Sequence, residues 1–125
     1  MVHQSTGQQP TVLVVEDQPL TRVATVETLE DAGFQVLEAS NADEAIRILE
    51  ARDNVRIVFT DIDMPGSMDG LKLARAVRDR WPPIKIVITS GQLIPNEVDL
   101  PAGGRFVAKP YDPARIASTL WEMIT

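Results

Sequence analysis

Five short apolar runs divide this chain, and each ends at a polar residue. They are Thr11 to Val15 (TVLVV), Gln35 to Ala39 (QVLEA), Val55 to Thr60 (VRIVFT), Ile84 to Thr89 (IKIVIT) and Arg105 to Ala108 (RFVA). TVLVV is β-branched and apolar on both faces, as a parallel strand covered on each side requires. The intervening segments carry helical signals. Pro19 suits the first turn of a helix, with Leu20, Val23 and Ala24 on one face, Val26 and Leu29 extending it raggedly, and Gly33 as its stop. Asn41 can cap a second helix with Ala42, Ala45, Ile46 and Leu49 inward. Leu71, Ala74 and Val77 mark a third, closed before Pro82-Pro83, and Asp112-Pro113 starts a last one with Ile116, Leu120, Met123 and Ile124 inward. Strands alternating with helices predict an α/β fold with a parallel sheet and right-handed crossovers.

Only then does composition narrow the class. At 125 residues the chain fits one domain, with Met1 to Pro10 as a flexible tail and residues 11–125 as the folded unit. The absence of cysteine removes disulfides, thiolate metal sites and cysteine nucleophiles. No apolar run approaches the ~20 residues needed to cross a bilayer, and Met1 to Gln9 lacks the apolar block of a secretory signal, so a cytoplasmic protein is expected. Twelve basic against 18 acidic residues give a formal charge of -6, which argues against nonspecific nucleic-acid binding.

In an open parallel sheet, ligands gather beyond the carboxyl ends of the strands, near a topological switch point. The residues there are Glu16 and Asp17 after the first strand, Asp61 after the third, Ser90 after the fourth and Lys109 after the fifth. Singly, each has an ordinary reading: Asp17 as a helix cap, Asp61 and Ser90-Gly91 as turn formers, Lys109 as solvated surface. Together they place three carboxylates, a hydroxyl and an ammonium on one rim. Clustered carboxylates repel unless a cation sits among them, and oxygen donors without His or Cys suit Mg²⁺. A hydroxyl and a lysine opposite would complement a phosphoryl group, which an aspartate can accept as an acyl phosphate.

The acidic pair after TVLVV, the run Asp61-Ile62-Asp63-Met64-Pro65 with Met68-Asp69-Gly70 following, the end Thr89-Ser90-Gly91 and Lys109-Pro110-Tyr111 resemble the receiver domain of two-component response regulators, over roughly Thr11 to Ile124. The resemblance implies a flavodoxin-like (βα)5 sandwich with sheet order 2-1-3-4-5. It implies Asp61 as phosphoacceptor from a histidine kinase or histidine phosphotransfer protein. Mg²⁺ is implied as cofactor, with Asp17 and Asp61 as ligands, Glu16 acting through metal-bound water and Asp63 through its backbone carbonyl. Ser90 is implied as the switch hydroxyl, Phe106 as the rotating aromatic and Lys109 as the phosphoryl-bridging lysine, on a cis Lys109-Pro110 peptide. A protein target downstream is implied, with neither nucleic acid nor membrane as partner, and no turnover beyond Mg²⁺-dependent self-phosphorylation and self-dephosphorylation.

Several positions depart from that pattern. Gly66-Ser67 lengthens the loop after Asp61, Phe106 stands where Tyr is frequent, and Asp63 and Gln92 flank the acceptor where they would tune acyl phosphate hydrolysis. Between Gly91 and Gly104, Pro95, Pro101 and Gly103 predict a short or irregular fourth helix and so a different or absent dimer face. His3 reads as part of the tail, Trp81 as a lid at a helix end, Trp121 as core edge and Arg75, Arg78 and Arg80 as a solvated face.

Because Thr125 follows the last helix at once, a stand-alone receiver is expected first and the N-terminal receiver of a longer regulator second. A haloacid dehalogenase-type phosphatase is the third reading, with Asp61 as nucleophile and Asp63 as acid. Pro65 and the early position of the acidic pair oppose it.

Overall fold

The computed structural model describes residues 9–63, 70–91, 100–101 and 103–125. The expected tail, the loop from Met64 to Asp69, Gln92, Pro95 and the predicted fourth helix of the five lie wholly or mainly outside them.

Five strands form one parallel sheet: β1 (Thr11–Val15), β2 (Gln35–Ala39), β3 (Val55–Asp61), β4 (Lys85–Ser90) and β5 (Arg105–Ala108). Their order is β2-β1-β3-β4-β5, as the receiver resemblance implies. Four described helices accompany them: α1 (Pro19–Asp31), α2 (Ala42–Ala51), α3 (Gly70–Arg80) and α4 (Pro113–Ile124). The chain leaves β1 toward β2 on one side and crosses back to β3 on the other, so the switch point falls between β1 and β3.

Alternation along the strands builds two cores. Leu13, Val15, Val58, Ile86 and Ile88 pack with Leu49, Leu73 and Val77 of α2 and α3. Val12, Val14, Ile57, Phe59 and Val87 pack with Leu29, Ile116 and Leu120 of α1 and α4. Burying each Leu or Ile of this set stabilises by about 1.5–3 kcal/mol before conformational entropy is subtracted. The expected caps form: Asn41 Oδ1 accepts from Glu44 N at 2.8 Å, and Asp112 Oδ1 from Ala114 N at 3.0 Å. Gly33 ends α1 at φ +102°, where a Cβ would be strained. Trp121 sits at the core edge as expected, its ring 4.6 Å from that of Phe34 and its indole N–H donating to the Ala32 carbonyl at 2.9 Å.

One expectation about α1 fails. Leu20 is 87 % exposed and Val23 49 %, and Ala24 is exposed as well, while Thr25 and Leu29 are the buried residues. The exposed residues belong to the first turns of α1, which follow the carboxyl end of β1. Only the later part of its ragged apolar stripe, Val26 and Leu29, packs into the core.

Candidate phosphoryl site

Parallel strands bring all their carboxyl ends to one rim, and the ladder continues one residue past them. Glu16 N–H donates to the Ala39 carbonyl at 3.0 Å, Ile62 N–H to Thr89 at 3.0 Å and Lys109 N–H to Ser90 at 2.9 Å. The backbone at Glu16, Asp61, Ser90 and Lys109 is thus fixed by a neighbouring strand.

On that rim the Lys109 ammonium lies 2.9 Å from Asp61 Oδ2 and 3.3 Å from Glu16 Oε1. Both carboxylates are almost fully buried, at 3 % exposure each. One carboxylate oxygen from each of Glu16, Asp17 and Asp61 lies within 4.8 Å of the other two. Asp17 does not cap α1: the cap position is Gln18, which makes no side-chain cap bond. Asp17 instead joins the acidic cluster.

Other groups hold these carboxylates in place. Asp61 Oδ1 accepts from the backbone N–H of Asp63 at 2.9 Å, and Glu16 Oε2 from Gln18 N–H at 3.1 Å. The Arg22 guanidinium donates to the Glu16 carbonyl at 2.9 Å and to Glu38 Oε1 at 3.0 Å. Gly70 brings the start of α3 directly against the end of β3. A Cβ there would overlap the Asp61 carbonyl oxygen and come within 2.6 Å of Ile62 Cα. Lys109-Pro110 is cis, as expected.

Electrostatics follow from this crowding. Burial pushes the Glu16 carboxyl above its ordinary range; the Gln18 N–H bond opposes that, the Asp61 charge reinforces it and Lys109 opposes it again. For Lys109, burial alone would lower the ammonium, but its contacts with Asp61 and Glu16 win and raise it. Tyr111 is raised mainly by burial, against the bond it shares with Thr25 Oγ1 at 3.0 Å.

The donor set suits a small, hard divalent cation. Three converging carboxylates supply only oxygen, and Lys109 offers one positive charge against three negative ones. No described histidine or cysteine joins them.

Asp63 and Phe106 take different places. The Asp63 carboxylate lies outside the acidic cluster and accepts from Ser90 Oγ at 2.9 and 3.0 Å and from Gly91 N–H at 2.9 Å. Phe106, half-buried on β5, pairs in register with Ile88 and packs on the α2–α3 core. Thr25 and Arg22 had no signal in the sequence. Gly70 had one, its place in the Met68-Asp69-Gly70 motif, but the motif does not reveal that its missing side chain is what matters.

Beside Lys109 opens a groove of ≈ 620 Å³, lined in part by Leu20, Ala24, Thr25, Lys109, Pro110 and Tyr111. Leu20 and Ala24 of α1, which the core leaves exposed, form part of its wall.

Comparison with known proteins agrees with this geometry. The family model described as the response regulator receiver domain matches residues 12–120. The chain is 37% identical over 118 residues to the sensor kinase CckA of Brucella abortus, covering 91% of this chain and 12% of that protein. It is 37% identical over 113 residues to the C4-dicarboxylate transport transcriptional regulatory protein DctD of Rhizobium meliloti, covering 88% of this chain and 24% of that one. The chain thus spans a quarter or less of these curated relatives. Among solved structures, a response regulator receiver protein from Sinorhizobium medicae superposes with a TM-score of 0.84 at 27% identity, covering 94% of this chain and 95% of that one.

Proposed function

The chain belongs to the response regulator receiver domain family, and from that premise we infer that it is a phosphorylation-dependent signalling switch with Asp61 as phosphoacceptor. The observation that carries this reading is the placement of a buried Asp61 against Lys109, beside Glu16 and Asp17. An Asp61 carboxylate oxygen attacks the phosphorus of a phosphohistidine on a kinase or phosphotransfer protein. A P–O bond forms, the P–N bond breaks, and the imidazole nitrogen keeps the electron pair. Hydrolysis by water returns Asp61 and inorganic phosphate, so the protein turns over no substrate beyond its own phosphoryl group.

Mg²⁺, held by Asp17, Asp61, the Asp63 carbonyl and, through water, Glu16, would neutralise charge on the phosphoryl oxygens. Lys109 complements the same charge from the opposite side. Ser90 turns toward the phosphoryl group once it is present, and Phe106 follows on β5. The histidine donor docks at the groove beside Lys109, whose exposed Leu20 supplies an apolar contact. A downstream protein, rather than nucleic acid or membrane, reads the switched surface, and the setting is cytoplasmic. Among the described residues no helix is long and apolar enough to cross a membrane.

A second reading, a receiver that works as one module of a longer regulator, is supported by the relatives' greater lengths and uses the same chemistry. The test of the central claim is intact mass after incubation with acetyl phosphate and Mg²⁺. One phosphoryl adduct is expected on the natural sequence and none on Asp61→Asn. An adduct that survives in Asp61→Asn places the acceptor elsewhere.

A further inference from the structure

The Asp63 carboxylate does something that neither metal binding nor phosphoryl transfer asks of it. Its backbone N–H is spent on Asp61 Oδ1 at 2.9 Å. Its side chain turns the other way and takes the Ser90 hydroxyl across both oxygens, at 2.9 and 3.0 Å, together with the Gly91 N–H at 2.9 Å. One residue therefore touches the acceptor carboxylate and the switch hydroxyl at once. The hydroxyl it holds belongs to a residue only 1 % exposed, on a strand end already fixed by the Lys109 N–H to Ser90 carbonyl bond.

We propose that Asp63 is a latch, a positioning residue that holds Ser90 in its resting place and sets how strongly a phosphoryl group on Asp61 must compete to recruit it. The proposal rests on the reading of Asp61 as phosphoacceptor. Hydrogen bonds to an ionised acceptor are shorter and about twice as strong as neutral ones. A phosphoryl group offers Ser90 another anionic acceptor, so the exchange is near balance, and the resting latch decides which side is populated. Asp63 also opposes the phosphoryl group as a like charge, an effect that does not involve Ser90. The two contributions are separable, because only the latch requires a hydroxyl at residue 90.

The probe is trifluoroberyllate, a tetrahedral stand-in for a phosphoryl group on a carboxylate, titrated at saturating Mg²⁺. Wild type, Asp63→Ala, Asp63→Asn, Ser90→Ala and the double variant Asp63→Ala/Ser90→Ala are compared, each with its Mg²⁺ affinity measured separately. Asp63→Ala should bind the probe roughly 10-fold tighter than wild type. Most of that gain should vanish when Ser90 is already Ala. Asp63→Asn, which loses the charge but keeps an oxygen acceptor, should recover a good part of the wild-type behaviour. Without any probe, the Gly91 amide proton should move upfield and exchange faster in Asp63→Ala, and keep its wild-type position in Ser90→Ala.

A Gly91 amide unchanged in Asp63→Ala overturns the latch. So does a gain in affinity of the same size with and without the Ser90 hydroxyl, or a gain as large for Asn as for Ala, since each points to charge repulsion alone. Failure of wild type to bind the probe at all overturns the phosphoacceptor reading and the latch with it. Because Asn preserves side-chain volume, a folding defect confined to Asp63→Ala leaves the Asn comparison to decide.

Discussion

Lys109 spans the two buried carboxylates of the site, 2.9 Å from Asp61 Oδ2 and 3.3 Å from Glu16 Oε1, and so serves as resident counter-ion to the acidic cluster. Removing it should cost stability as well as signalling. Breaking a buried ion pair by deleting one partner usually costs about 3–5 kcal/mol. The Lys109 side chain is 24 % exposed, so water recovers part of that, and a loss on the order of 2 kcal/mol is expected for Lys109→Met. Urea unfolding in the presence of a chelator measures it. The loss should shrink when Mg²⁺ supplies the missing positive charge; an equal loss with and without Mg²⁺ would show that Lys109 and the cation do not share a role.

Glu16 and Mg²⁺ give the second prediction. Burial, then the Asp61 charge, raise the Glu16 carboxyl against the Gln18 and Lys109 bonds. A carboxyl raised in the folded state is a cost to stability once it ionises, and the cost is absent at pH values below its unfolded pKa. Near neutral pH the chain carries that cost, and Mg²⁺ should relieve it. At a hundredfold excess over its dissociation constant, a ligand of the folded state alone adds about 2.7 kcal/mol. Wild type should therefore melt several degrees higher in Mg²⁺. Glu16→Gln should melt at least as high as wild type in chelator, and respond less to Mg²⁺. Full retention of the Mg²⁺ response in that variant would remove Glu16 from the site.

The strands and the strand-end chemistry were legible because a parallel sheet turns sequence order directly into position. Each apolar run must end at the same rim, so Glu16, Asp17, Asp61, Ser90 and Lys109 could be brought together by reading the one or two residues past each run. The first helix was not legible in the same way. Periodicity reports which residues are apolar, not which of them the fold covers, and Leu20 and Val23 stand exposed. Thr25 is buried on that helix because its hydroxyl meets Tyr111, 86 residues away, a pairing that no local pattern carries. The Asp63 to Ser90 bonds, 27 residues apart, were hidden for the same reason.

Gly70 yields a prediction opposite in sign to helix propensity. In an exposed helix interior, Gly to Ala is stabilising by roughly 1 kcal/mol. Here the added Cβ would overlap the Asp61 carbonyl oxygen, a backbone atom that cannot rotate aside. Overpacking of this kind costs about 1–3 kcal/mol. Gly70→Ala should therefore lower the urea midpoint and slow acetyl phosphate labelling of Asp61, because α3 gains room by displacing the Asp61 backbone. A stabilised variant with normal labelling would show that the close approach is not required.

Tyr111 provides a titration that reads the site from its flank. It is the only tyrosine in the chain, so the near-ultraviolet absorbance of tyrosinate reports this residue alone. The ring stands edge-on to Phe59 at 5.5 Å between centroids, and its hydroxyl is bonded to Thr25. Burial raises the phenol, the Thr25 bond opposes that, and the nearby Glu16 charge adds to the rise. The folded state thus holds a proton that the unfolded chain releases near pH 10. Its contribution to stability is complete below that pH and is lost as pH rises through the folded pKa. Lys109, also raised, loses its contribution over the same alkaline range. Native protein should show a tyrosinate midpoint above the denatured value. Replacing Thr25 by Val should move that midpoint higher still, because the bond that opposes the rise is gone. In Tyr111→Phe the alkaline loss of stability should become shallower, with the share due to Lys109 remaining. A native midpoint equal to the denatured one would mean that the β5–α4 loop leaves Tyr111 open to water, and the groove beside Lys109 would then lack its ordered wall.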